Sequence, residues 1–123
     1  MASPFIWAAM GLAGLWFLVH VFVGGRQVAR PLAQAEDLPV LVRETQYLCW
    51  HFTSVAIAGM AVFFGAALVT GAAAYALAAT VLAAAFAVVG IGIVAARGGR
   101  HLTFPQGWLF VPVAVLGLLG LFV

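Results

Sequence analysis

Residues 47–96 read YLCWHFTSVAIAGMAVFFGAALVTGAAAYALAATVLAAAFAVVGIGIVAA, and this stretch contains no Asp, Glu, Lys or Arg. About 20 helical residues cross a hydrocarbon core of about 30 Å, so the stretch is long enough to cross a membrane twice. Its residues are continuously apolar, whereas the strands of a membrane barrel alternate apolar and polar positions. We therefore predict two membrane helices, over residues 47–70 and 71–96. A tight turn near residues 70–73 would make them antiparallel neighbours.

Two further apolar runs, residues 4–23 and 104–123, flank this pair and are also free of charged side chains. The chain of 123 residues is 67% hydrophobic and 7% charged, which leaves too little polar surface for a soluble domain. The first run has no basic start and no small-residue cleavage site, which favours a mature helix over a signal peptide. The four runs predict an all-α polytopic membrane protein, with four transmembrane helices in an antiparallel bundle that forms a single domain over residues 1–123.

The charged side chains predict the orientation of the helices, because all of them lie in two connections. They are Arg26, Arg30, Glu36, Asp37, Arg43 and Glu44 after the first run, and Arg97 and Arg100 after the third. With four spans these connections share one side of the membrane, and that side holds all 5 basic residues. The positive-inside rule makes it cytoplasmic and leaves both termini outside. The net charge of +2 is too small to indicate a nucleic-acid partner.

Several residues mark where individual helices should begin or end. Gly24-Gly25 and Gly98-Gly99 predict the ends of the first and third helices, because glycine readily adopts the left-handed conformation found there. Pro39 predicts the start of a second helix that projects about two turns beyond its apolar run. Thr103 and Gln106 have the spacing of a capping box before the fourth helix.

The third helix carries small residues at a regular spacing. They are Ala72, Ala76, Thr80 and Ala84 in one series, and Ala79, Ala83 and Ala87 in another. Small side chains at this spacing let membrane helices approach closely. The pattern favours close packing within one bundle, with a dedicated dimerisation face as the alternative.

Three histidines are predicted to lie at the cytoplasmic ends of their helices. His20 precedes the end of the first helix, His51 lies about one turn into the second apolar run, and His101 precedes the fourth helix. Steps of three and four residues place Glu44 and His51 on one face of the second helix, together with Tyr47 and Ser54. We expect these faces to converge on a polar pocket beneath the inner surface.

Three kinds of chemistry are open to such a pocket. Neutral imidazole binds zinc, copper and iron, so His20, His51, His101 and a carboxylate from Glu44 are candidate ligands of a transition metal. His20 and His51 could instead hold a haem as its two axial ligands. His51 beside Glu44 could also relay protons. Against all three stands ordinary hydrogen bonding at the membrane interface, because no motif with dedicated metal spacing is present.

Three short stretches carry a resemblance to known proteins. HVFVGGRQVARPLAQAEDLP, YLCWHFT and LTFPQGWLFVP together resemble a group of small four-helix inner-membrane proteins of bacteria that has no established activity. That group combines a His before Gly-Gly, a Trp-His pair and a Pro-Gln-Trp-like start to its last helix. In this chain Gly107 interrupts the last element. The resemblance implies a bacterial inner-membrane location and suggests that His20, Trp50, His51 and Gln106 act together.

The sequence favours a non-enzymatic role. No ionisable residue lies in the middle of any predicted span, where transporters and pumps place theirs, so no catalytic residue is assigned. We predict an accessory or scaffolding subunit that packs in the lipid bilayer against other membrane proteins or further copies of itself. The alternative is a protein that binds haem or a transition metal through the cytoplasmic histidines for electron transfer or redox chemistry.

Overall fold

The computed structural model describes residues 3–123, and within them the secondary structure is entirely helical, in four helices. They are α1 (Pro4–Ala33), α2 (Val40–Thr70), α3 (Ala73–Ala96) and α4 (Gln106–Phe122). By length and composition α1, α2 and α3 are each able to cross a membrane, with 30, 31 and 24 residues. The fourth helix is also apolar but has only 17 residues. The all-helical prediction is therefore confirmed, and three of the four predicted spans reach membrane-crossing length.

Helix α1 changes its winding along its length. It is α-helical over Pro4–Leu18, widens to a π-helix over Val19–Ala29 and is α-helical again over Arg30–Ala33. In the widened part each bond reaches one residue further back, as the N–H of Arg30 shows by donating to the carbonyl of Gly25. The prediction that this helix ends at Gly24-Gly25 is wrong, because the widened turns carry the chain through both glycines.

Helix α2 begins directly after Pro39, as predicted. Its 31 residues extend over about 46 Å, which exceeds the roughly 30 Å of a hydrocarbon core. The first turns therefore project beyond any membrane that the rest of the helix crosses. There the Arg43 side chain donates to Glu44 at 2.9 Å and to the carbonyl of Ala35 at 3.2 Å, which ties the helix to the preceding connection.

The turn between α2 and α3 consists of two residues. Gly71 adopts a left-handed conformation with φ 74°, and its N–H donates to the carbonyl of Ala67 at 2.9 Å. The Thr70 hydroxyl donates to the carbonyl of Ala66 at 2.7 Å and accepts from the N–H of Ala72 at 3.2 Å. The polar groups of this turn are thus largely paired with one another.

The core is built from one inward stripe on each helix. Helix α1 packs against α2 and α4, and α3 packs against the same two helices. The buried apolar residues at the centre follow steps of about three and four: Ile6, Ala9 and Ala13; Ile57, Met60, Phe64 and Ala67; Ala76, Ala79, Ala83 and Ala87; Phe110 and Val113. Of the predicted small-residue series of α3, Ala76, Ala79, Thr80, Ala83 and Ala87 are buried inside the chain, whereas Ala84 is half-buried and Ala72 is exposed. The Thr80 hydroxyl donates to the carbonyl of Ala76, so its burial leaves no unpaired polar atom.

Helices α3 and α4 touch through their backbones. A Cβ placed on Gly90 would lie 2.7 Å from the Cα of Gly107, and one placed on Gly107 would lie 2.6 Å from the backbone nitrogen of Ile91. Both glycines are therefore required by the close approach of the two helices. The prediction of a capping box at the start of α4 is wrong, because Pro105 takes the capping position and no side chain caps the helix.

Candidate functional site

The cytoplasmic ends predicted for α1 and α2 meet through His20 and Trp50. The two rings are stacked, with centroids 4.0 Å apart and planes 15° from parallel. The Nε2 atom of His20 lies 3.4 Å from the carbonyl oxygen of Trp50, which also accepts a hydrogen bond from Ser54 at 3.2 Å. One face and one nitrogen of the imidazole are therefore engaged by a single residue of the neighbouring helix.

The position of Trp50 depends on the widened part of α1. Its indole lies against Gly24, where an added Cβ would come within 2.8 Å of Cη2 and 3.0 Å of Cζ2. Glycine at position 24 thus allows the indole to pack directly on the backbone, one turn from the histidine that stacks on it. This contact explains the glycine at position 24 inside the helix.

His51 belongs to the same region but makes different contacts. Its ring packs edge-on against Tyr47, with centroids 4.6 Å apart and planes 84° apart. His51 is exposed and Tyr47 is half-buried, so this pair lies at the surface of the helix. His20 therefore packs on Trp50, whereas His51 packs on Tyr47 of its own helix.

An open groove of about 590 Å³ runs between α1 and α2 beside these residues. We call it the α1–α2 groove. Its polar lining comes from Arg30, Gln34, Tyr47, Trp50, His51 and Ser54, and its apolar lining from Phe17, Val21, Gly25, Ala29, Ala33, Val55 and Ala58. Sequence reasoning identified its α2 side through the shared face of residues 44–54. It missed Arg30 and Gln34, because α1 was expected to end before them.

Two of the predicted metal ligands lie elsewhere. His101 accepts a hydrogen bond at Nδ1 from the indole N–H of Trp108 at 3.2 Å, in an edge-on aromatic pair. Glu44 forms a salt bridge with its neighbour Arg43 at 2.9 Å. Within residues 3–123 no three His, Cys, Asp or Glu side chains come together as a set that could hold a metal ion. The structure thus places His20 and His51 at one helix pair, without His101 or Glu44 beside them.

Gln106 is also separate from the histidine pair. It lines a second groove, of about 460 Å³, between α3 and α4. Arg97 and Phe104 line the same groove, which lies next to the Gly90–Gly107 contact. Of the four residues that the resemblance groups together, His20, Trp50 and His51 are neighbours and Gln106 is not.

Comparisons with protein-family models, with curated proteins and with solved structures find no match to this chain.

Proposed function

We propose that this chain is an integral protein of the bacterial inner membrane. All four helices cross the membrane and form an antiparallel bundle. Helices α1, α2 and α3 have the required length and apolarity, and the 17 residues of α4 match the lower limit of about 17 for a spanning helix. Contacts between α1 and α2 support the antiparallel order, because Met10 lies by Gly65 whereas Gly24 lies by Trp50. The resemblance to small four-helix inner-membrane proteins is part of the same proposal.

The proposed orientation puts both termini outside and the charged connections in the cytoplasm. All 5 basic residues lie in two segments. One segment joins the apolar runs of α1 and α2, and the other joins α3 to α4. In an antiparallel bundle these segments share one side. An excess of Arg and Lys is retained on the cytoplasmic side of bacterial membranes, which supports this orientation.

Within the membrane we infer that the chain acts as a non-enzymatic accessory or scaffolding subunit that packs against another membrane protein. The outward face of α3 carries this proposal. Four small residues lie along it, and all four are exposed: Ala74, Ala78, Ala85 and Gly92. Steps of four and seven residues keep them within about 20° of one line along the helix, directly opposite the buried alanine series.

Larger side chains border this line on both sides. Val81 and Val88 lie on one flank and Val89 on the other, with exposed fractions of 59%, 72% and 56%. The result is a shallow groove with valine ridges. Flexible lipid chains pack on a helix face of any shape, whereas small residues on one face let a second helix approach closely. The face therefore suits a partner helix more than it suits lipid alone.

Site-specific cross-linking tests this role. The single cysteine is replaced by Cys49→Ser, and Ala85→Cys is introduced at the centre of the face. Cross-linking in native membranes is expected to join this position to one defined membrane protein, or to a second copy of the chain. Ala8→Cys, on the exposed face of α1, is the matched control.

A second variant tests the shape of the face. Ala85→Leu fills the space between the valines and is expected to lower the amount of co-purified partner at least about tenfold, because close helix packing is lost. Ala8→Leu makes the same change on another exposed face and should retain the partner. Equal partner levels in wild type and Ala85→Leu would contradict the proposed interface.

A further inference from the structure

The α1–α2 groove has the composition of a site for an amphipathic ligand. We propose that it binds an anionic phospholipid, with the phosphate at Arg30 and one acyl chain along the apolar end. This inference rests on the proposed insertion of the chain in a membrane, and it adds a ligand site that the subunit role does not require.

The polar end of the groove has the donors that a phosphate needs. Arg30 lines it together with Gln34 and Tyr47, whose side chains also carry donors, and no Asp or Glu lies in the lining. The one salt bridge found among residues 3–123 joins Arg43 to Glu44, so no carboxylate in this part of the chain engages Arg30. A guanidinium forms strong charge-assisted hydrogen bonds with phosphate oxygens. Basic pockets between membrane helices on the cytoplasmic side bind anionic lipid headgroups in this way.

The apolar end lies deeper along both helices. On α1 the lining passes from Arg30 through Gly25 to Val21 and Phe17, and on α2 it passes from Tyr47 to Ala58. Because residues 17 and 58 lie on the membrane side of the charged connection, polarity falls with depth. A phospholipid in the cytoplasmic leaflet has the same order, with its phosphate at the surface and its chains beneath.

The centre of the groove is kept open by a glycine. No atom lies within 4 Å of a Cβ placed on Gly25, in contrast to the adjacent Gly24, which packs on Trp50. The volume of about 590 Å³ falls within the range of about 300–1,000 Å³ that is usual for ligand sites. The groove is also open rather than enclosed, so a ligand can reach it without a rearrangement of the helices.

Native mass spectrometry of the full chain in mild detergent tests this proposal. The protein is titrated with phosphatidylglycerol and, separately, with phosphatidylcholine of the same chain length. Wild type is expected to retain the anionic lipid preferentially. Arg30→Gln should weaken that binding about fivefold, which corresponds to about 1 kcal/mol for one basic residue near the headgroups. Arg26→Gln, an exposed arginine of the same helix outside the groove, should leave it unchanged.

The acyl-chain end is tested by filling the groove. Gly25→Leu is expected to abolish lipid retention, whereas Gly11→Leu makes the same change at another open position of α1 and should retain it. Val55→Phe at the groove margin provides a second filling variant if Gly25→Leu does not fold, as judged by helical circular dichroism. Glycerol 3-phosphate, which carries a phosphate without acyl chains, should not compete.

Three outcomes would overturn the proposal: equal weakening by Arg30→Gln and Arg26→Gln, lipid retention by a folded groove-filling variant, or displacement by glycerol 3-phosphate. The subunit role is tested by two other measurements. Retention of the chain in membranes washed with alkaline carbonate reports membrane insertion, and the cross-links from α3 report the partner. Neither of those measurements depends on the α1–α2 groove.

Discussion

The imidazole of His20 and the indole of Trp50 are stacked 4.0 Å apart, and they join α1 to α2 at the widened part of α1. The histidine side chain also reaches the Trp50 carbonyl, so ring packing and a polar contact act on the same pair. Gly24 of α1 lies against the Cη2 and Cζ2 atoms of the same indole. His20 therefore has a structural role at the contact between the two helices. His51, which follows Trp50 in the sequence, is exposed and does not have this role.

Removal of the His20 ring should therefore weaken the α1–α2 contact. We expect His20→Ala to lower the free energy of unfolding in detergent by about 1–2 kcal/mol, from the lost aromatic pair and the lost polar contact. His51→Ala is the control and should change it by less than about 0.5 kcal/mol, because it removes only an exposed edge-on contact with Tyr47 one turn away. Thermal unfolding followed by circular dichroism measures both. A larger loss in His51→Ala than in His20→Ala would contradict the assigned roles.

Adjacent glycines of α1 should respond differently to the same small substitution. Gly24→Ala places a methyl group about 3 Å from the Trp50 ring, and overpacking of this kind costs about 1–3 kcal/mol of stability. Gly25→Ala meets open space and should be neutral or slightly stabilising, because alanine favours a helix. Comparison of the two melting curves is the measurement. Similar curves would show that the indole does not pack on Gly24.

Contact between α3 and α4 should depend on Gly107. Gly107→Ala forces two backbones apart, since the new Cβ would lie 2.6 Å from the nitrogen of Ile91. Backbone cannot move aside as a side-chain tip can, so we expect a loss of stability of about 3 kcal/mol, at the upper end for overpacking, or a failure to fold. Gly59→Ala, at an open position of α2, is the control. A stable Gly107→Ala protein with unchanged helicity would refute the backbone contact.

The proposed orientation makes a prediction of its own. Alkaline phosphatase is active only outside the cytoplasm, so a fusion after Val123 should be active. Green fluorescent protein fused at the same position should remain dark. Fused after Arg100, in the charged connection, the two reporters should show the reverse pattern, because that connection is proposed to be cytoplasmic. Active phosphatase at both positions would exclude the four-span topology.

Sequence reasoning located most of the helical framework because the signals were local. The absence of charge over residues 47–96 predicts two helices, and Pro39 predicts where the first of these begins. Both predictions rest on local sequence, and the structure confirms both. The burial of Ala79 and Ala83 likewise followed from spacing along one helix. Properties of this kind need no knowledge of which helices are neighbours.

The site was harder to predict because it depends on contacts between helices. Gly24-Gly25 is a usual signal for a helix end, whereas inside α1 Gly24 makes room for the Trp50 indole of the other helix. The widened turns then bring Arg30 to the groove. The sequence predicts His101 near the other histidines. In the structure it instead accepts a hydrogen bond from Trp108, seven residues further along the chain. The Gly24–Trp50 contact and the place of Arg30 in the groove involve two helices, so a pattern within one segment could not have revealed them.

The two-residue turn between α2 and α3 has a consequence for biogenesis. In the orientation proposed above this turn must be translocated across the bilayer, and it carries no charge. Thr70 and Gly71 pair much of its backbone internally, so few hydrogen-bonding groups lose water on the way. A loop this short also prevents one helix from entering far ahead of the other. We therefore expect α2 and α3 to leave the translocation machinery together, as a preformed helical hairpin.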